Sequence, residues 1–470
     1  MLDLNIIRQK TDWVKEQFRK LQAEDVIPRV DAVLALDQKR RELLIQSETI
    51  QANRNKLNKG VGRLRGDNRL SDNAKVAIAL GAAEAVEAGD ILQAVALLEG
   101  TQDAPALTGE LAASFDTLSE ALGKLGAMVE AVTEQLRPVE EELNTHLLWL
   151  PNLPHESVPV GVGDADNIPS EPIGEFRQFD FVPKPHWEIG PELDIIDFER
   201  GVKLAGSRAY LLRGWGARLQ RALEAFFLDQ ARENGFEEVY VPFFVKEEML
   251  YGAGQFPKFT DVVYYDADAE VYMLPTSEVA LTNIFRDEIL DEADLPIYFV
   301  ADTPCFRREK TSAGRDTRGI KRVHQFQKVE MFKFVHPDTS YEELDKLVDA
   351  ACAIAAKLGL PYRTLEICTG DLGFSATKKY DVEIYAPGCD EWLEVSSCSN
   401  TEAFQARRAN LRFRPKEGKK IQFMHTLNGS GLATPRVIIA ILENYQQADG
   451  SVLIPEVLQP YLGTDRIPAG

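Results

Sequence analysis

From Val33 to Leu64 the chain steps by three and four through Leu36, Arg40, Leu43, Ser47, Ile50, Arg54, Leu57 and Val61. Leu36, Leu43, Ile50, Leu57 and Leu64 hold one heptad position and a more polar series holds the other, which predicts a long helix with a coiled-coil seam. A second run is cleaner: Leu111, Phe115, Leu118, Leu122, Leu125, Val129, Val132, Leu136, Val139 and Leu143. Two such helices in one chain predict an antiparallel coiled-coil hairpin. Between them, Gly66, Gly81, Gly89, Gly100, Pro105 and Gly109 interrupt Ala-rich apolar stretches. Residues 66–110 therefore read as short helices broken by turns, an inserted tip instead of a simple loop. Pro138 lies inside the second run and is expected to kink or loosen it.

The periodicity stops at Trp149, where LPNLPHESVPVGVGDADNIPSEP reads as a connection between domains. Beyond it a helical block over 207–234 precedes EEVYVPFFV. Strand patterns follow in VYYDADAEVYML (a hairpin), PIYFVAD, VHQFQKVEMFKFV, VEIYAP and EWLEVSSCSN, with helices over 339–358 and 433–447. The expected fold is α+β, an antiparallel sheet with helices. The expected division is an arm over 1–148, a linker over 149–175 and a catalytic domain over 176–470.

Composition narrows the function. A net charge of −21 over 470 residues argues against indiscriminate nucleic-acid binding, because phosphate affinity needs Lys and Arg, so any such contact must be local. The first residues, MLDLNIIRQK, lack a secretory layout, and no apolar run is long enough to cross a bilayer, so a cytoplasmic protein without membrane contact is expected. Cys305, Cys352, Cys368, Cys389 and Cys398 form no CxxC pair and read as reduced thiols. The usual phosphate loops, GxGxxG and GxxxxGK[ST], are absent.

Chemistry concentrates in TPCFRREKTSAGRDTRGIKRVHQFQKVEMFKF, which gathers Arg307, Arg308, Lys310, Arg315, Arg318, Lys321 and Arg322 around a turn between two strands. Such a cluster suits a polyanion, and it also suits a solvated basic loop. On the outgoing strand, alternation puts His324, Phe326, Lys328 and Glu330 on one face, an aromatic platform beside a carboxylate. In EWLEVSSCSN, carboxylates beside hydroxyls suit Mg²⁺ and phosphate oxygens, or equally a solvent-facing edge. In TLNGSGLATPR, Pro435 fits the first helical position and Arg436 the first turn. A cation there opposes the helix dipole, so Arg436 is either an anion-binding residue or an ordinary surface arginine. Thr276, Ser277 and Glu278 read as a helix N-cap or as a hydroxyl and carboxylate set for a substrate ammonium.

In this order the blocks resemble the class II aminoacyl-tRNA synthetases and, within them, the bacterial-type seryl enzymes. The first class motif corresponds to the helix before Gly235 plus VYVPFF, the second to FRRE through HQFQKVEMF, and the third to GLATPR. PTSEVAL, SAGRDTRG, HQFQKVEMF and TLNGSG are more specific still. The resemblance covers nearly the whole chain, including the arm and the PNLPHESVPVG connection. It implies that L-serine attacks the α-phosphate of ATP to give seryl-adenylate and pyrophosphate, and that the seryl group then passes to tRNA(Ser), and to selenocysteine tRNA where the source makes one.

By that resemblance the catalytic residues are Arg307, Glu309, Glu394 and Arg436. Arg307, Arg308 and Glu309 would grip ATP, Val323 and Phe326 would enclose the adenine, and Glu394, Val395, Ser396, Ser397 and Arg436 would face the phosphates. Glu394 and Ser397 would hold Mg²⁺. Strict alternation does not aim both inward, which requires a bulge or a backbone contact. Thr276, Ser277, Glu278, Arg307, Glu330, Asn428 and Ser430 would line the serine pocket. The resemblance also implies a homodimer through the first motif and an arm that holds the long variable arm of the tRNA. Lys39, Arg40, Arg41, Arg54, Lys56, Lys59, Arg63 and Arg65 form a basic stripe on the first arm helix, with Arg40, Arg54, Lys56 and Arg63 as candidate tRNA contacts. From 71 to 142 the only cations are Lys75, Lys124 and Arg137, so binding is expected from the first helix. Two alternatives are a relative that loads a carrier protein, which would lack the arm, and an inactive scaffold, against which the intact Arg307, Glu309, Glu394 and Arg436 stand.

Overall fold

The computed structural model describes residues 1–310, 318–416, 418 and 420–470. Arg315 and most of SAGRDTRG lie outside the described residues. The chain forms two compact units, Pro28–Leu147 and a larger one that joins Met1–Ile27 to Leu148–Gly470. The first 27 residues, with α1 (Leu4–Gln9) and α2 (Thr11–Lys20), thus fold with the C-terminal part of the chain and not with the arm.

The smaller unit is built on α3 (Ile27–Gly66) and α6 (Leu111–Leu148), and the helical run of α6 is unbroken through Pro138. Leu43 in the first half of α3 packs on Val132 and Val139 in the second half of α6, while Leu57 and Leu64 farther along α3 meet Phe115, Leu118, Leu122 and Leu125 in the first half of α6. The pairing is therefore antiparallel, as the two heptad runs predict. Between them lie α4 (Asp72–Glu87) and α5 (Ile91–Glu99), each opened by a side-chain cap: the Ser71 hydroxyl accepts from Ala74 N–H and the Asp90 carboxylate from Gln93 N–H. Their Ala79, Ala82, Ala83, Val86, Leu97 and Leu98 bury into the same cluster as Leu57 and Leu64. Gly60 permits that approach, because a Cβ there would stand 2.8 Å from Leu98 Cβ. Leu57, fully buried, belongs to both packings. Leu57→Ala should cost about 2–5 kcal/mol, read as an early melting transition of this unit, with pyrophosphate exchange unchanged.

The larger unit carries an eight-stranded sheet of β1 (Ile168–Pro169), β2 (Glu237–Glu238), β3 (Ile297–Phe306), β4 (Gln325–Val335), β5 (Tyr362–Glu366), β6 (Lys378–Ala386), β7 (Glu391–Asn400) and β8 (His425–Ala433). The order is β1-β5-β6-β7-β8-β4-β3-β2, antiparallel except for the short β2–β3 pair. The helices that matter here are α7 (His186–Glu192), α8 (Phe198–Ala205), α9 (Trp215–Glu233), α10 (Glu278–Thr282), α11 (Ser340–Lys357) and α12 (Thr434–Tyr445). The block expected to be helical from Ser207 begins only at Trp215. Leu211–Leu212 instead pairs with Ile196–Asp197, and Gly214 at φ +52° turns the chain into α9. Tyr265–Asp266 and Val271–Met273 form the expected hairpin.

Alternation along β4 separates two cores. Val329, Met331 and Val335 enter the cluster that includes α9, α11 and α12, while Phe332 and Phe334 enter a second cluster with Val279 and Leu281 of α10. Lys328 and Glu330 alternate with Val329 and Met331, which places these charged residues away from the three large helices.

Candidate functional site

The antiparallel β3–β4 pair aligns Phe306 with Gln325 and Cys305 with Phe326, so Arg307 emerges where the two strands part. Its backbone N–H donates to His324 O at 2.9 Å, and His324 Nδ1 lies 2.9 Å from Arg307 O. Its Nε donates to Pro275 O at 3.1 Å and its guanidinium stands 5.2 Å from the Phe326 ring. Backbone and side chain of Arg307 are thus both held before any ligand arrives.

Arg307 lines a cavity of about 180 Å³ with Glu309, Val323, Phe326, Lys328, Glu394, Val395, Ser396, Ser397, Ser430 and Arg436. Nearly the whole nucleotide set expected from the sequence is therefore brought together. Arg308 is the exception: its guanidinium stands 5.2 Å from the Tyr264 ring, and it does not line the cavity. Glu309, at φ +47°, turns its carboxylate to 3.8 Å from Arg322.

The geometry of β7 resolves the alternation conflict. Val382 pairs with Ser396 but Glu383 pairs with Glu394, so Val395 is an extra residue without a partner opposite. This bulge brings Glu394 and Ser397 to the same cavity, while Val395 fills the core. Arg436, in the first turn of α12 after Pro435, donates from Nη1 to Glu394 O at 2.5 Å and stands 3.6 Å from Glu394 Oε2. Burial opposes the charge on Glu394, but Arg436, Lys379, Arg307 and Arg322 outweigh it and hold the carboxyl below its ordinary range. Across the strand pair, burial and the Glu394 charge push Asp381 up. Asp381 Oδ1 is buried with no hydrogen-bond partner among the described residues.

Adjoining the cavity through Lys328 and Ser430 is a second, largely buried polar group. Glu330 is completely buried and faces Ser430 across β4–β8, with Asn428 Nδ2 and Ser430 Oγ each 3.5 Å from its oxygens. Lys328 Nζ sits 2.5 Å from Glu330 Oε2 and donates to Thr276 Oγ1 at 2.8 Å. Glu278 accepts from Gln405 Nε2 at 2.7 Å. Burial, and then Glu330, push the Glu278 carboxyl up to about 7, against the opposing pull of Lys328, Gln405 and Arg307. Ser277 precedes α10, but its hydroxyl pairs with Thr303 Oγ1 at 2.8 Å, so the N-cap reading of its side chain does not hold. Ser396 Oγ donates to Ser430 O at 2.5 Å, joining the two compartments.

Three participants were not assigned from the sequence. Lys328 is visible there as a neighbour of Glu330 at strand spacing, a signal that could have been used. Asp381 and Gln405 come from distant segments, and only the β6–β7 register and the packing of Phe404–Ala409 bring them in.

An antiparallel sheet whose ends present an arginine above an aromatic ring, a bulged carboxylate and a helix-borne arginine defines a class II aminoacyl-tRNA synthetase core. Residues 261–445 match the family described as tRNA synthetase class II core domain (G, H, P, S and T), and residues 1–92 match the seryl-tRNA synthetase N-terminal domain. The serine–tRNA ligase of Chloroflexus aurantiacus is 50% identical over 463 residues, 98% of each chain, and that of Roseiflexus sp. is likewise 50% identical over 98% of each. The solved seryl-tRNA synthetase of Pyrococcus horikoshii, complexed with ATP, superposes over the full length of both chains at 34% identity and a TM-score of 0.81. The chain belongs to the seryl-tRNA synthetases, the ATP-dependent ligases that join serine to tRNA.

Proposed function

We propose that the cavity holds ATP and the buried polar group beside it holds L-serine, so that where the compartments meet at Ser430 the serine carboxylate attacks the α-phosphate, the bond to the β-phosphate breaks, and seryl-adenylate and pyrophosphate result. The observation that carries this reading is the convergence of Arg307, Glu394 and Arg436 on one cavity that is also lined by Ser430, the cross-strand partner of Glu330. In this reading Phe326 and Val323 enclose the adenine. Arg307 spans both substrates and neutralises charge as it develops on the phosphate, and Arg436 meets the far phosphates. Glu278 and Thr276 receive the ammonium, and Glu330, with Asn428 and Ser430 at its oxygens, meets the serine hydroxyl. No side-chain nucleophile is needed, since holding two reactants in attack geometry removes about 7–11 kcal/mol of barrier.

Mg²⁺ fits the donors present: the orphaned Asp381 Oδ1, the Glu394 carboxylate and the Ser397 hydroxyl are hard oxygens. Bound there, the ion would neutralise phosphate charge. Homodimerisation is supported by the exposed Val202 and Leu204 on α8 and by a cavity of about 470 Å³ that α8 forms with His324–Gln327. Among the described residues no helix is long and apolar enough to cross a membrane, and a cytoplasmic location accords with this chemistry.

For tRNA, the first arm helix supplies the cations, and their surroundings rank them. Arg40 pairs with Glu140 at 2.8 Å and Arg63 lies 3.9 Å from Glu99, whereas Arg54 and Lys56 have no carboxylate partner among the described residues. Serine-dependent ATP–pyrophosphate exchange, followed by charging of a tRNA with a long variable arm, tests the whole reading, and absence of serine dependence would sink it. The double change Arg54→Glu, Lys56→Glu should leave exchange intact. It should weaken tRNA binding by about 10- to 100-fold at moderate salt and lower the salt slope by about two.

A further inference from the structure

Outside the substrate-facing residues, a hydrogen-bonded cluster joins the buried His186 and Glu443 to the half-buried Cys389. His186 and Glu443 are both completely buried. Glu443 Oε1 accepts from His186 backbone N–H at 2.9 Å, from His186 Nδ1 at 2.8 Å and from the Cys389 thiol at 3.0 Å, and Oε2 accepts from Cys389 backbone N–H at 2.9 Å. On the other edge of the ring, Ile320 backbone N–H donates to His186 Nε2 at 3.1 Å. The fit is close, because a Cβ on the neighbouring Gly319, at φ +71°, would stand 1.9 Å from Nε2.

These three side chains put a nitrogen, a sulfur and an oxygen within 4.8 Å of one another, a spacing that a metal ion could use. The hydrogen bonds decide against it. Nε2 faces a donor, so Nε2 is the acceptor and the ring proton sits on Nδ1, aimed at Glu443. A metal on Nδ1 would move that proton to Nε2 and set two N–H groups against each other across 3.1 Å. Burial and then the Glu443 charge push the Cys389 thiol up, which keeps its proton in place for the same carboxylate. Every polar atom is satisfied without an ion.

The elements tied together are three of those that line the cavity. Glu443 lies two turns along α12 from Arg436. Cys389 stands just before β7, which carries Glu394. Ile320 opens the segment that returns through Lys321 and Arg322 to Val323. We propose that His186 is a positioning residue for ATP, which locks the Ile320–Val323 wall to α12 and β7 through its Nδ1–H tautomer. This inference rests on the assignment of the cavity to ATP made above.

The test uses full-length protein in serine-dependent exchange. His186→Ala should raise the KM for ATP about tenfold or more, the scale of one lost buried hydrogen bond, with the KM for serine within about twofold. His186→Gln, whose amide oxygen can still accept from Ile320 N–H, should recover part of the loss, and His186→Asn, which reaches only Glu443, should not. In the folded wild type, nitrogen NMR of the imidazole should report the Nδ1–H form, a readout available even if the alanine variant fails to fold. Equal rises in both KM values, no rise in either, an Nε2–H ring or one zinc per purified chain would each overturn the proposal. Failure of the ATP-site reading is distinct, since wild-type protein would then show no serine-dependent exchange.

Discussion

Replacing Arg307 by alanine is expected to lower kcat/KM for serine-dependent pyrophosphate exchange by about 10²–10³-fold, the loss typical of removing one preorganised donor to developing charge. The expectation comes from how the side chain is held. The Pro275 carbonyl fixes Nε, the Phe326 ring supports the guanidinium plane, and two backbone contacts with His324 fix the main chain. A cation held in this way would meet a phosphate in the cavity without having to be ordered first. Arg307→Lys should recover little, because a single ammonium on a flexible stem cannot bond Pro275 and reach the phosphate together. Both KM for ATP and kcat should change, and far-ultraviolet circular dichroism should not. A loss below about fivefold would remove Arg307 from the reaction centre.

Arg436 and Glu394 extend the same logic. A cation in the first turn of a helix is unfavourable by itself. Here the Glu394 carbonyl and carboxylate compensate it, and their bonds aim it at the cavity. That conflict is readable in the sequence, as TPR at a helix start.

The arm was legible for a related reason. Heptad spacing depends only on sequence distance along one helix, so Leu43, Leu57, Leu118 and Leu125 announce their own burial. The inserted tip could be recognised as broken helices but not placed, since its packing on Leu57 and Leu64 depends on three helices meeting. Along the strands, alternation placed Phe326, Lys328 and Glu330 together. It failed at β7, where one unpaired residue shifts the register, and only the conflict between Glu394 and Ser397 hinted at a bulge. The start of α9 was missed because the residues from Ser207 carry helix-compatible side chains, while the pairing of Leu211–Leu212 with Ile196–Asp197 is a long-range choice. Asp381, Gln405 and the His186 clamp share that origin: each is defined by a partner from a remote segment.

The buried pocket should reveal itself through pH. Burial, and then the charge of Glu330, push the Glu278 carboxyl up to about 7. Above that pH it is a carboxylate and, in the proposed pocket, would attract the serine ammonium; below it the carboxyl is neutral and that attraction would be lost. Serine kcat/KM, which reports free enzyme, should therefore fall as pH drops through 7, approaching about tenfold per unit, while kcat stays flatter because a bound ammonium holds the group ionised. Glu278→Gln should lower activity at pH 8 and abolish this acidic limb. Glu330 answers to a different measurement. It is wholly buried with Lys328, Asn428 and Ser430 around it, so alanine as substrate would leave this set without the serine hydroxyl, a mismatch able to reject it by about 10⁴-fold. Glu330→Ala should raise the KM for serine and reduce the serine-to-alanine ratio of kcat/KM by at least about tenfold. An acidic limb centred below pH 5, or a serine-to-alanine ratio unchanged in Glu330→Ala, would separate these carboxylates from substrate recognition.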